Sequence, residues 1–425
     1  MYMTGYECIA CGQTHPPDCS EYQCPVCGGN LDVQYDYEAI RDSLHPEQPF
    51  SSARDDIFKY APLLPIDDMG AAPPLRIGAT PLYRAHRLGE MTGLKNVWLK
   101  DDGLNPSASF KDRASAVALA RAREIGAGVV AGASTGNAGS SMACMAASVH
   151  APCVIFVPEK APPAKIAQLL IFGAHVMAVR GSYDQAFDLC LEICTRKQWF
   201  NRNTGYNPFT REGKKTCAYE ICEQLQWQAP DWIVVPVGDG NIISGIWKGL
   251  KDLHATGLID NLPRLICAQS DASDAISRTV RRLREQHHGT ETIDWSQVDV
   301  AEVQATTVAD SISVDLPRDG LAAVRAVMES HGLALTVRDQ DILAAIPELA
   351  RNAGVFSEPA AATTWAVLKK AAQQKKIDAH ARVVCLLTGS GLKDIGSARK
   401  VAGEPSVIDA DPEAALQVLD TLGLA

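Results

Sequence analysis

The chain has 425 residues, 46% of them hydrophobic, and a formal net charge of -10. That length holds two or three domains, and the acidic balance argues against general nucleic-acid or anionic-membrane binding. No apolar run reaches about 18 residues, and the first residues lack a signal peptide's basic and apolar regions, so a cytoplasmic protein is expected.

Residues 1–30 read as a unit of their own. Cys8 and Cys11 form one Cys-x-x-Cys pair, and Cys24 and Cys27 form a second, with twelve residues between them. Glycine follows each pair (Gly12; Gly28 and Gly29) and permits the tight turn that aims two thiolates at one metal. Four soft ligands at this spacing suit a tetrahedral, structural Zn²⁺, and so small a segment needs the metal to fold. His15 and Cys19 lie between the pairs and are left out of the ligand set. Other cysteines, such as Cys144, Cys190, Cys194, Cys267 and Cys385, sit in apolar segments and read as small buried hydrophobes. A disulfide framework is not expected in a chain of this size without an export signal.

Residues 31–85, with Pro73 and Pro74, carry little periodicity and read as a connection draped over the next domain. Residues 105–115 are the most informative stretch. Pro106 turns its neighbours away from helix, Ser107 or Ser109 can cap, and residues 114–123 are Ala-rich and helix-forming. Lys111 is thereby presented at a helix start, where the dipole and any nearby cation disfavour its charged form. A neutral amine attacks carbonyls, as a Schiff-base enzyme requires. Alone, the stretch fits a capped helix with a surface lysine equally well.

Short apolar runs then alternate with turns and helices. Residues 97–99 precede the lysine loop, and 129–132 precede Ser134, Thr135, Gly136, Asn137, Ala138 and a helix. Residues 153–157 precede a Pro-capped helix, and 175–179 a helix from about Ser182. Residues 232–237 precede Gly238, Asp239, Gly240, Asn241 and a helix from near Ile242, and runs at 265–268 and 383–387 complete the set. Strand, Gly/Ser-rich turn and helix in repetition mean an α/β fold with parallel sheet, whose ligands bind beyond the carboxyl ends of the strands. Residues 280–300, including Arg281 and His288, read as a solvated helix and loop.

Residues 238–242 suit a compact phosphate held by backbone N–H groups, or are simply a tight strand–helix turn. A dinucleotide fits less well: the third glycine of that fingerprint is misplaced, and Pro263 and Arg264 stand where an acidic residue is required. Residues 134–137 form a second such turn, suited to a carboxylate or serving only as a helix cap. Thr388 opens a third polar turn, where a hydroxyl meets a ring nitrogen without forcing its protonation. Glu358 follows Gly354 in a stretch that reads first as a helix C-cap and loop, and also as a possible cleft lining.

A lysine, a phosphate nest, a carboxylate nest and a hydroxyl for a ring nitrogen match pyridoxal phosphate carrying an amino acid. With Asn105–Arg113, residues 134–137, Glu212–Thr216, residues 238–241, Glu358–Ala360 and Thr388–Asp394 in this order, the chain resembles the threonine-synthase-like, fold type II pyridoxal-phosphate enzymes (the tryptophan-synthase-β-like group) over roughly residues 75–400. Some members also carry an N-terminal zinc ribbon. The resemblance implies a two-lobed α/β fold with parallel-rich sheets flanked by helices. Its parts are a ribbon at 1–30, a large cofactor lobe at 31–110 and 206–425, and a small lobe at 111–205. It implies that Lys111 carries the cofactor and then acts as acid and base. Phe110, Asn137, Gly238, Asp239, Gly240, Asn241, Ile242 and Thr388 contact the cofactor, and Ser134, Thr135 and Ala138 the substrate. It further implies a small amino-acid substrate, a homodimer, and no nucleic-acid or membrane partner.

Three phosphate-ligand positions depart from the family pattern. Ala138 replaces a threonine, and Gly205 and Thr210 replace the serine and arginine expected on the phosphate of O-phosphohomoserine. A lost charge-assisted contact costs about 1.5–3 kcal/mol. Weak use of that substrate is therefore expected unless Arg202, Arg211 or Lys214 takes over, and Ser at Gly205 with Arg at Thr210 is expected to restore it. The resemblance implies first a pyridoxal-phosphate-dependent lyase of threonine-synthase type, turning O-phosphohomoserine or a closely related amino acid and water into threonine and phosphate. The alternatives are an elimination or replacement enzyme acting on a non-phosphorylated amino acid, and a regulatory zinc-ribbon protein on an inactive scaffold.

Overall fold

A computed structural model describes residues 2–19, 21–45, 47–287 and 293–424. Its central sheet has six strands in the order Leu333–Val337, Arg264–Ser270, Trp232–Pro236, Arg382–Leu387, Asn96–Asp101 and Leu82–Arg84. All neighbours are parallel except the last, which pairs antiparallel at the edge. A second sheet, all parallel, runs His175–Val179, Cys153–Pro158, Val130–Ala133 and Phe200–Asn201. The central strand Trp232–Pro236 is buried along its whole length, as expected where helices cover both faces of a parallel sheet. Each of the seven apolar runs picked out in the sequence is one of these strands. Leu82–Arg84, Leu333–Val337 and Phe200–Asn201 are additions: the first two are edge strands without an uninterrupted buried run, and the third is only two residues long.

The N-terminal sheet is antiparallel, in the order Thr14–His15, Met3–Cys8, Leu31–Tyr35. Strand pairing thus carries it past residue 30. Nor is the stretch that follows merely draped over a finished core. Ile57, Phe58, Tyr60, Leu63 and Leu64 are buried in the main core, and the Tyr60 hydroxyl donates to Glu223 at 2.6 Å. Five of these residues lie in or next to the 3₁₀ helix Ile57–Leu63, which contains Pro62. Its irregular backbone gives no 3.6- or 2-residue period for a sequence reading to find. The helix Ala275–Gln286 turns Ile276, Val280 and Leu283 inward and leaves Arg281 and Arg282 in solvent. Of the polar stretch expected at 280–300, residues 288–292, His288 among them, lie outside the described residues.

Candidate active site and metal centre

A cavity of about 610 Å³ opens where the carboxyl ends of the two parallel sheets face each other. That size is ordinary for a small-molecule site. Its lining includes Lys111, Ser134, Thr135, Asn137 and Ala138 on one side, and Gly238, Asp239, Gly240, Asn241 and Ile242 on the other. The structure therefore brings together ten of the twelve residues expected at cofactor and substrate. Phe110 and Thr388 are buried beside it, outside the lining, and the Phe110 N–H donates to the Thr388 carbonyl at 2.8 Å.

Lys111 opens the helix Lys111–Glu124, with Phe110 at the N-cap position. Neither expected serine caps it conventionally. Ser107 is taken by Asp112, which accepts from its N–H at 2.6 Å and its hydroxyl at 2.5 Å. Ser109 Oγ accepts only a long 3.4 Å bond from the Lys111 N–H. The loop is instead sewn to the turn after residue 387. Ser390 N–H donates to Ala108 O at 3.1 Å, and Lys393 Nζ to Ser107 O at 2.8 Å. Two residues beyond the lysine, the guanidinium of Arg113 is wholly buried between two carboxylates. Nε meets Asp102 at 2.6 Å, and NH1 meets Glu220 at 2.7 Å. Lys100 also reaches Glu220, at 2.6 Å. This clamp ties the start of the lysine helix to the helix Phe209–Gln224 and to the strand Asn96–Asp101.

Both glycine-bearing turns end in helices whose first N–H groups no side chain caps. Gly136 precedes Asn137–Ser148, and Gly240 precedes Asn241–Ala255. Uncapped N-termini on a cavity wall are anion sites by geometry and by dipole. Gly240 has φ 92°, and a Cβ there would lie 2.7 Å from the Asp319 carbonyl, so the turn requires glycine. Asn137 Nδ2 donates to both oxygens of Glu358 at 3.0 Å. The C-cap reading of the Glu358 stretch also holds, because Gly354 is left-handed at φ 70°.

Charge is unevenly matched around the cavity. The Lys111 side chain makes no hydrogen bond or ion pair among the described residues. Burial lowers its pKa, Glu358 opposes that, and Arg202 lowers it further. Lys214 donates to Asn241 Oδ1 at 2.5 Å, and burial, then Lys111 and Arg202, push its pKa well down. The three candidate replacements for the phosphate ligands now separate. Arg211 is engaged by Asp319 at 2.6 Å and Asp32 at 2.9 Å. Lys214 is held at the 238–242 turn. Arg202, only 3% exposed, bonds Ser115 and Thr204 hydroxyls and has no carboxylate within ion-pair distance among the described residues.

The repair expected from the sequence fails on geometry. Gly205 sits at φ 76°, and a Cβ there would lie 2.8 Å from that of Arg318. Thr210 is fully buried, with its hydroxyl bonded to Asn207 O and Asn241 Oδ1, so an arginine has no room. Neither residue lines the cavity. Sequence reasoning also assigned nothing to residues 310–316, which form part of the wall; their irregular backbone carries no pattern.

In the N-terminal segment, the sulfur atoms of Cys8, Cys11, Cys24 and Cys27 all lie within 4.8 Å of one another. Cys8–Cys27 and Cys11–Cys27 are 3.4 Å apart and Cys11–Cys24 3.9 Å. A tetrahedral site with bonds of about 2.3 Å needs sulfurs about 3.8 Å apart, so the cluster fits zinc. His15 Nε2 lies 3.3 Å from Cys24 Sγ, as a neighbour of the cluster.

A lysine at a helix start and two uncapped helix N-termini, gathered in one cleft between parallel sheets, fit a fold type II pyridoxal-phosphate enzyme. The model of the family described as "Pyridoxal-phosphate dependent enzyme" matches residues 74–389. The chain is 38% identical to threonine synthase of Methanocaldococcus jannaschii, covering 98% of this chain and 99% of that one. It is 36% identical to that of Methanosarcina acetivorans, covering 96% of each. Processed threonine deaminase isoform 2 of Solanum lycopersicum shares the fold, with a TM-score of 0.64 at 21% identity, covering 84% of this chain and 90% of that one. The chain belongs to this family and is a threonine-synthase-like, pyridoxal-phosphate-dependent lyase. Among the described residues, no helix is long and apolar enough to cross a membrane.

Proposed function

We propose that this protein converts O-phosphohomoserine and water to threonine and phosphate. The observation that carries the reading is the near full-length similarity to threonine synthases, zinc-ribbon segment included. The cavity supports it with cations that have no internal carboxylate partner.

Pyridoxal phosphate supplies, when bound, an electron sink for carbanions at the substrate's Cα and Cβ. Lys111 tethers the cofactor and carries protons at those two carbons, for which a depressed pKa suits it. Residues 238–242 and Lys214 hold the cofactor phosphate, Asn137 its phenolic oxygen, and Thr388 its ring nitrogen, with Phe110 packed behind the lysine. Ser134, Thr135 and Ala138 meet the substrate carboxylate at the start of the helix Asn137–Ser148. A homodimer in the cytoplasm is part of the same reading. The test is direct: purified protein with pyridoxal phosphate and O-phosphohomoserine should release phosphate and threonine in equal amounts. Turnover of non-phosphorylated amino acids with no phosphate release from the ester would replace this reading by the alternative lyase.

The four-cysteine cluster holds a structural zinc ion. Asn30, three residues after Cys27, donates to the Arg318 carbonyl at 2.8 Å and to Asp319 at 3.0 Å, so the ribbon packs on the wall behind residues 238–242. Cys8→Ser or Cys27→Ser should release one zinc per chain and expose residues 1–35 to proteolysis, because three ligands bind far more weakly than four. Metal analysis that finds no zinc in reduced wild-type protein would remove the assignment.

A further inference from the structure

Arg202 is held from below and left open on one side. Its backbone N–H donates to Ala131 O at 2.8 Å, fixing it beside the strand Val130–Ala133 that feeds the 134–137 turn. Nε donates to Ser115 Oγ at 3.1 Å and NH1 to Thr204 Oγ1 at 2.8 Å. Ser115 lies four residues after Lys111 on the same helix, hence on the same face. NH2 is buried with no hydrogen-bond partner among the described residues. Arg202 and Thr204 both line the cavity.

A buried guanidinium without a counter-charge is costly, and proteins retain one where a ligand supplies the anion. Here burial lowers its pKa to about 10, with Asp112 the leading opposing charge. The other cations of the cleft have employment under the proposed function. Lys214 stands at the cofactor-phosphate turn, Arg318 is paired to Asp184 at 3.0 Å, and the amine of Lys111 is occupied by the cofactor. The substrate's carboxylate has the uncapped helix start at Asn137. One anion of O-phosphohomoserine and one cation remain.

We propose that Arg202, with the Thr204 hydroxyl beside it, binds the distal phosphate of the substrate, in place of the ligands absent at Ala138, Gly205 and Thr210. The assignment rests on the threonine-forming reading and explains how that reading survives those departures. An Arg fork pinned by two hydroxyls matches a phosphate's oxygens in a way a lysine does not.

The test uses the cofactor-loaded enzyme with inorganic phosphate and threonine as separate probes, each measured by calorimetry. Arg202→Gln should weaken inorganic phosphate about 10- to 100-fold while leaving threonine affinity within about twofold. Arg202→Lys should fall between, because it keeps the charge and loses the fork. In turnover, Arg202→Gln should raise KM for O-phosphohomoserine. Unchanged phosphate affinity in Arg202→Gln would overturn the assignment. So would equal loss of phosphate and threonine, which would place Arg202 on the carboxylate instead. Threonine binding also reports that the variant is folded. Phosphate release from the ester by the wild type judges the proposed function separately: if it is absent while phosphate binding still depends on Arg202, the reaction is wrong and the anion site stands.

Discussion

Lys111→Ala is expected to reduce turnover by about 10³-fold or more while the protein stays folded. The lysine is proposed both to tether the cofactor and to move protons, so its removal takes away two functions together. The fold should tolerate the change because the side chain makes no internal hydrogen bond or ion pair among the described residues and faces the cavity. The loop around it is held by backbone bonds from Phe110 and Ser390, which alanine leaves intact. Three measurements check this: the visible absorbance of the bound cofactor, steady-state turnover, and the denaturant midpoint. Turnover within tenfold of wild type would sink the assignment. A large drop in the midpoint would show that the lysine is structural.

Arg113→Met should do the reverse and strike stability first. Its guanidinium lies between Asp102 and Glu220, and all three are buried. Removing it leaves two buried carboxylates, with Lys100 at 2.6 Å and the Ala79 N–H at 2.8 Å on Glu220, and the Thr80 hydroxyl at 2.6 Å on Asp102. Breaking a buried pair from one side costs about 3–5 kcal/mol. The pH dependence should change too. Burial alone would raise the Glu220 carboxyl, but Arg113 and then Lys100 overcome it and hold it well below the ordinary range. Such a group stabilises the fold above its unfolded pKa of about 4.3, and that contribution is lost as pH falls through the folded value. Without Arg113 the Glu220 pKa should rise, so the variant should lose stability at higher pH than wild type. Urea midpoints at neutral and mildly acidic pH measure both effects. A variant as stable as wild type at both would show that the clamp contributes no net stability. Loss of cofactor affinity at moderate urea would further show that it positions Lys111.

Much of this protein is legible in its sequence because the information is local. Six of the seven apolar runs became largely buried strands, since a buried parallel strand needs an uninterrupted apolar stretch, whereas His175–Val179 forms an edge strand with no buried residue. The turns at 134–137 and 238–241 are marked by glycine and small polar residues, and the lysine by the proline and serines before it. The cysteine pairs, at metal-ligand spacing, converged to within 4.8 Å.

What the sequence could not determine was which polar groups remain free once the chain has folded. Arg202 and Arg211 are equally plausible phosphate ligands on paper. Arg211 is consumed by Asp32 and Asp319, which lie 179 and 108 residues away and which no local pattern connects to it. Glu358 reaches Asn137 across 221 residues. Room was likewise invisible: Gly205 and Thr210 invite a serine and an arginine by alignment, yet Arg318 and Asn241 fill the space. Strands and turns follow from the order of neighbours along the chain, so the sequence by itself determined the scaffold and the lysine. Pairing and volume are set by neighbours in space, and only the tertiary structure decided that Arg211 is consumed by carboxylates while Arg202 has none in ion-pair range among the described residues.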